Sequence, residues 1–139
     1  MNQVILSKKS IVVWLRIATP TLIVFCVHLL AVYLYLYDLH PHFDVVMHLL
    51  GGGAVAWSWM LLNRIMLPTV RLPVIYQIIV AVGIVALAAT GWEFYEFFFD
   101  VRDGAPIRQL SIANTMQDFA CGLLGGLVVS AVQLSGDSR

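Results

Sequence analysis

Charge is scarce in this sequence. Of 139 residues, 8 are Lys or Arg and 8 are Asp or Glu, and the formal net charge is zero. A soluble domain has about a quarter of its residues charged. The 12% here, with 60% hydrophobic residues and a mean hydropathy of +0.88, excludes an ordinary water-soluble globule and points to an integral membrane protein. Balanced charge also leaves no basic footprint for nucleic acid and no acidic tail for a basic partner. Cysteine is equally sparse. Cys26 and Cys121 both fall in apolar runs, which argues against a disulfide framework and reads as two small buried hydrophobes. There is no internal repeat and no linker long enough to separate domains. No A-x-A-type site follows the amino-terminal SKKS, and the apolar run behind it is too long for a cleaved leader, so an uncleaved first span is expected.

What the chain does have is four apolar segments, about 11–37, 45–67, 73–99 and 112–134. Each meets the length of about 20 residues that crosses a hydrocarbon core. The connections are short: DLHPHFD (38–44), PTVRLP (68–73) and DVRDGAPIRQLS (100–111). The expected fold is all-α, a single four-helix transmembrane bundle over residues 1–139. Lys8, Lys9 and Arg16 near the amino terminus, and Arg64 and Arg71 at the second connection, set an orientation with both termini cytoplasmic; Arg102 and Arg108 oppose it weakly. The chain is expected to cross a membrane several times, with membrane lipids around it. Gly51, Gly52, Gly53, Ala54 and Ala56, and the Gly122-x-x-x-Gly126 pair with Gly125, mark close helix packing. A triple glycine without a phosphate-loop lysine is not a nucleotide motif.

The polar residues inside the spans are Arg16, His28, Asp44, His48, Glu93, Glu96 and Asp118. Each charge at the bilayer centre costs about 2.5–3.5 kcal/mol even on the lenient scale, so such residues are functional candidates. Asp44 and His48 open the second span, Glu93 and Glu96 close the third in GWEFYEFFFD (91–100), and Asp118 opens the fourth. In an alternating bundle these three ends share one side, at a depth of roughly one or two helical turns. Asp44 and His48 are four apart and Glu93 and Glu96 three apart, so each pair shares a helix face. Four carboxylates in a low-dielectric pocket cannot all stay ionised without positive charge. A divalent metal held by Asp44, His48, Glu93, Glu96 and Asp118 supplies it, in the manner of helical-bundle metal sites. The competing reading pairs Arg102 and Arg108 with Glu96, Asp100 or Asp103 and makes the cluster a salt-bridged or hydrogen-bonded proton site. Asn114 or Thr115 would then cap the last helix. His28 reads as a hydrogen-bonded core residue or an outer partner of the site, and His40 and His42 as solvated loop residues. Arg16 snorkels to the cytoplasmic face.

The ordered set Asp44-x-x-x-His48-x-x-Gly51, Trp92-Glu93-x-x-Glu96 and Asn114-Thr115-x-x-Asp118-x-x-x-Gly122-x-x-Gly125 resembles the YjdF-like family of small bacterial inner-membrane proteins and, more distantly, the VanZ-like group. The likeness covers about residues 44 to 126. It implies that Asp44, His48, Glu93, Glu96 and Asp118 form the family's polar core, with Asn114 standing where the family pattern prefers Asp. It implies the bacterial inner membrane as the location, and it implies no reaction.

Two functional classes follow. One is a membrane-embedded metalloprotein acting on a lipid or lipid-linked substrate, with Glu93 or Glu96 as a general base if not a ligand. The other is a non-catalytic accessory subunit of a larger membrane complex, its polar cluster clamping the bundle. The absence of a G-x-S-x-G signature and the short outer connections weigh against an enzyme. Ion conduction is disfavoured because the acidic residues collect on one side only.

Overall fold

The computed structural model describes residues 8–40, 42–67, 69, 72–105 and 108–137, and within these the side chains from residue 11 to residue 136. Ser7 of the SKKS run, Arg71 and the last residues of the GDSR tail lie outside the described residues, as do the side chains of Lys8 and Lys9. The elements are α1 (Lys8–Tyr33), α2 (Leu36–Leu39), α3 (Phe43–Met66), α4 (Val74–Asp103) and α5 (Ile112–Asp137). Among the described residues there is no strand. All four long helices are long and apolar enough to cross a membrane. The shortest, α3, has 24 residues, which at 1.5 Å per residue spans about 36 Å, more than the hydrocarbon core of about 30 Å. Leu87, Phe94 and Val132 are among the many large apolar residues on the outer surface, the pattern lipid demands and water penalises.

Two boundaries differ from the hydropathy pattern. The apolar run carries the first span to residue 37, but α1 ends at Tyr33. Tyr35 adopts a φ of 55°, a left-handed conformation rare for a bulky residue. The chain then makes the single turn of α2. Nothing in the apolar run marks this break. Hydropathy ends the third span near residue 99, but α4 continues through the polar DVRD to Asp103. It stops at Gly104, whose φ of 72° and N–H bond to the Asp100 carbonyl form a glycine terminator.

α3 is the hub. It packs on α1, α4 and α5, and its seam with α5 is the most extensive in the bundle. That seam is backbone against backbone. A Cβ on Gly52 would run into the Gly122 carbonyl, and one on Gly125 into the Leu49 carbonyl. Gly126 instead faces Val85 of α4, where a Cβ would sit 2.8 Å from the valine. The expected Gly122/Gly126 pair is therefore divided between two interfaces, with Gly122 and Gly125 meeting α3. The far end of the bundle is filled by Met60, Ala81 and Leu134, with Trp59 and Ile78 packed against them. α1 is attached differently. Among the long helices it packs only on α3, and no described Cα of α1 comes within 8 Å of α4 or α5.

The seam makes a direct prediction. Gly125→Ala forces backbone to move and lowers stability by about 1–3 kcal/mol or more. A Cβ on Gly91, also in a helix, would meet no atom within 4 Å, so Gly91→Ala is neutral or stabilising by about 0.5–1 kcal/mol. Thermal unfolding of both variants in bicelles checks this; equal effects would contradict the described seam.

Candidate functional site

The α3–α5 register puts the first two turns of α3 beside the second turn of α5, and α4 delivers its last third to the same level. All five residues of the expected cluster meet there. Asp118, Glu93 and Glu96 are buried, Asp118 almost completely at 1% exposure, while the side chains of His48 and Asp44 are 9% and 27% exposed. His48 is the centre. Its Nε2 lies 3.4 Å from Asp44 Oδ1 and 3.9 Å from Asp118 Oδ1. One ligand atom from each of Asp44, His48 and Asp118 falls within 4.8 Å of the others, and the same holds for His48, Glu93 and Glu96. Ligands on opposite sides of one ion are about 4–5 Å apart, twice a metal–oxygen bond, so each triad is compatible in size with a single cation.

The carboxylates are held by neutral N–H groups. The Asn114 amide donates to Asp118 Oδ2 at 2.9 Å and reaches Asp44 Oδ2 at 3.5 Å. The Gln109 amide donates to Glu93 Oε2 at 2.9 Å and to the Glu93 carbonyl at 3.0 Å. The Trp92 indole donates to Glu96 Oε1 at 2.8 Å. Two buried oxygens, Glu93 Oε1 and Asp118 Oδ1, have no hydrogen-bond partner among the described residues. Each belongs to a carboxylate whose other oxygen is pinned. Outer groups that fix one oxygen and leave the other open are the pattern found around metal ligands. Hard oxygen donors with one imidazole suit a divalent cation.

The arginines do not fill this gap. Arg108 pairs with Asp100 and Asp103, each at 3.1 Å, and Arg102 with Asp103 at 2.7 Å. Both guanidinium groups also sit over the Phe99 ring. Burial works against the Arg108 charge, but its hydrogen bonds to Asp103 and Asp100 outweigh this and raise its pKa above the usual value. The Asp100 carboxylate further accepts the backbone N–H groups of Arg108 and Gln109. Asp100 thus folds the α4–α5 connection back over the cluster and sets Gln109 against Glu93.

A second layer lies on the α1 side. His28 is buried, its Nδ1 is 2.7 Å from the Tyr37 hydroxyl, and its ring meets Trp92 edge-on at 4.6 Å. Burial, and then the nearby charge of Asp44, pushes the Tyr37 phenol above its ordinary pKa. His40, His42 and Arg16 are exposed. Neither Asn114 nor Thr115 caps α5: Ser111 does, accepting the Asn114 N–H at 3.1 Å. Asn114 is instead part of the site. Sequence reasoning missed Gln109, Trp92 and Tyr37 as partners. The four-residue spacing of Trp92 and Glu96 is a readable signal; nothing local marks Gln109 or Tyr37.

The fold and this cluster define a small four-helix membrane protein with a buried carboxylate and histidine centre at one end. The chain belongs to the family described as "Predicted membrane protein (DUF2238)", whose model matches residues 4–135. No curated protein and no solved structure matches the chain.

Replacing Asp100 by Ala removes an acceptor shared by two backbone amides. Charged-group hydrogen bonds contribute about 1.5–3 kcal/mol each, so the connection should open locally. Hydrogen exchange at the Arg108 and Gln109 amides is expected to accelerate strongly, with α3 amides unchanged. Unaltered exchange at both positions would contradict the clamp.

Proposed function

We propose that the cluster binds a divalent metal ion and that the protein is a membrane-embedded metalloprotein acting on a lipid or lipid-linked substrate. The observation that carries this reading is the pair of donorless buried oxygens, Glu93 Oε1 and Asp118 Oδ1, in a cluster that also holds His48. An unpaired buried acceptor costs about 1–3 kcal/mol, and a cation in either triad would remove that cost for the carboxylate it contains, Asp118 in one and Glu93 in the other. His48 with Asp44 and Asp118, or with Glu93 and Glu96, would hold the ion. Bound there, it would supply Lewis-acid polarisation of a phosphoryl or carbonyl oxygen. The chain's own residues have definable parts. Asn114, Gln109 and Trp92 orient the carboxylates, the Asp100-clamped connection limits water, and with the ion held by Asp44, His48 and Asp118, Glu93 or Glu96 is free to take a proton. The likeness to YjdF-like and VanZ-like bacterial inner-membrane proteins belongs to this reading, as does an orientation with both termini cytoplasmic and the cluster near the outer face.

A second reading, an accessory subunit of a larger membrane complex, draws on Phe94, Phe97, Phe98 and Val101. These form an exposed ridge along α4 that suits a neighbouring helix as well as lipid.

Metal analysis after exposure to Zn2+, Mn2+ or Mg2+ separates the two. Stoichiometric metal is expected in the wild type and is lost in His48→Ala, which breaks both triads; Glu93→Gln loses it if the ion sits with Glu93 and Glu96. If the ion sits instead with Asp44 and Asp118, Asn114→Ala, whose amide reaches Oδ2 of both, should weaken binding by about 10–100-fold. A wild type that stays metal-free with all three ions would overturn the metal reading, and co-purification of a defined partner chain would then favour the second. Orientation has its own check. A cysteine at position 40, in a background lacking Cys26 and Cys121, should be labelled by an impermeant maleimide from the outside of intact cells; protection there would reverse the assignment.

A further inference from the structure

Beside the polar cluster lies a cavity of about 360 Å³, between α1, α3 and α4. Its lining includes Leu22 and Phe25 of α1, Gly51 and Val55 of α3 and Ala88 of α4. Its lining is apolar except at its ends. His28, Tyr37, Asp44 and His48 gather at one end, and at the other the Thr21 hydroxyl is paired with Ser58 at 3.1 Å. Leu22 is 52% exposed and Phe25 44%, and Ala88 is exposed. The backbones of α1 and α4 stay apart throughout the described residues. The cleft therefore opens sideways, where hydrocarbon surrounds the bundle, while the contact of His28 with Trp92 bridges the two helices at the polar end.

Size decides what fits. The lining extends from Asp44 to Val55 on α3 and from Val85 to Trp92 on α4, about 16 Å and about 10 Å at 1.5 Å per residue. Over those lengths 360 Å³ leaves a mean cross-section of about 22–36 Å². A helix with side chains is at least about 10 Å across, or roughly 80 Å². A partner helix is too thick, and one extended hydrocarbon chain is not. The volume also falls within the range of about 300–1,000 Å³ usual for small-molecule sites.

We propose that this cleft holds one acyl chain of a membrane lipid, which enters between α1 and α4 and brings its polar end to Asp44 and His48. The occupant is an amphiphile because the lining is one: an apolar slot with its charged and imidazole groups at a single end. The chain site rests on the cavity alone. The meeting of the lipid's polar end with a metal rests on the metal reading above.

The test uses the full-length protein in phosphatidylcholine vesicles doped with a phosphatidylethanolamine that carries a diazirine on a lauroyl chain. Mapped crosslinks are expected to be several-fold enriched at Leu22, Phe25, Val55 and Ala88 over the outward-facing Leu87 and Val132. Ala88→Phe and Val55→Phe, each filling the cleft from a different helix, should abolish the enrichment while metal content is retained. Two filling variants are used so that misfolding of one leaves the other decisive. His48→Ala should lose metal yet keep the enrichment. A wild type that is metal-free but still labelled in the cleft sinks the metal reading and leaves the chain site standing. Labelling no stronger in the cleft than at Leu87, or enrichment that survives both filling variants, overturns the proposal.

Discussion

A carboxylate oxygen removed from water needs a donor or a cation, and the organisation of this bundle follows from how that need is met. Four carboxylates come together at one end, and the positive charge nearest to hand is engaged elsewhere, since Arg102 and Arg108 are tied to Asp100, Asp103 and Phe99. Neutral donors take its place. Asn114, Gln109 and Trp92 each pin one oxygen, and the opposite oxygens of Glu93 and Asp118 are left without any. An apolar replacement of the cluster would remove these costs altogether. Their presence in a chain otherwise so poor in charge is what supports the proposed ion.

Division of labour between the helices follows from the same need. α3 and α5 approach backbone to backbone through Gly52, Gly122 and Gly125, which makes the relation of His48 to Asp118 rigid. α4 adds Glu93 and Glu96 and carries the Asp100 clamp. α1 contributes no carboxylate. It stands off from α4 and α5 and supplies one wall of a cleft, with His28 reaching across to Trp92. A centre set by close backbone contact is thus bordered by a wall that, among the long helices, packs on α3 alone, so the protein part of the site is preorganised while one side of it stays open.

Much of this was legible in the residues themselves. Four spans follow from hydropathy, because lipid imposes a length and an apolar surface that few other environments do. The convergence of Asp44, His48, Glu93, Glu96 and Asp118 follows from alternation of span direction together with spacings of three and four. What could not be read depends on contacts between distant segments or on backbone choices without a local signature. Tyr35 takes a left-handed φ that no glycine or asparagine announces, so the end of α1 and the return of Tyr37 to His28 were hidden. Gln109 looked like one more polar loop residue; only the fold of the connection around Asp100 turns it onto Glu93. The glycines were rightly read as packing residues, but Gly122 and Gly126 serve different neighbours, a distinction that depends on where α4 lies and not on their spacing.

The α3–α5 seam also has a temporal consequence. Its two sides are separated in the chain by the whole of α4, and α5 is the last of the five helices to be synthesised. Until then Glu93, Glu96, Asp44 and His48 lack both Asp118 and the amide of Asn114. The centre is therefore complete only once α5 has been made and slots its glycines against α3. A nascent chain, or one truncated before α5, lacks Asp118 and Asn114 and so carries only part of the centre; the arrival of that helix is what completes it.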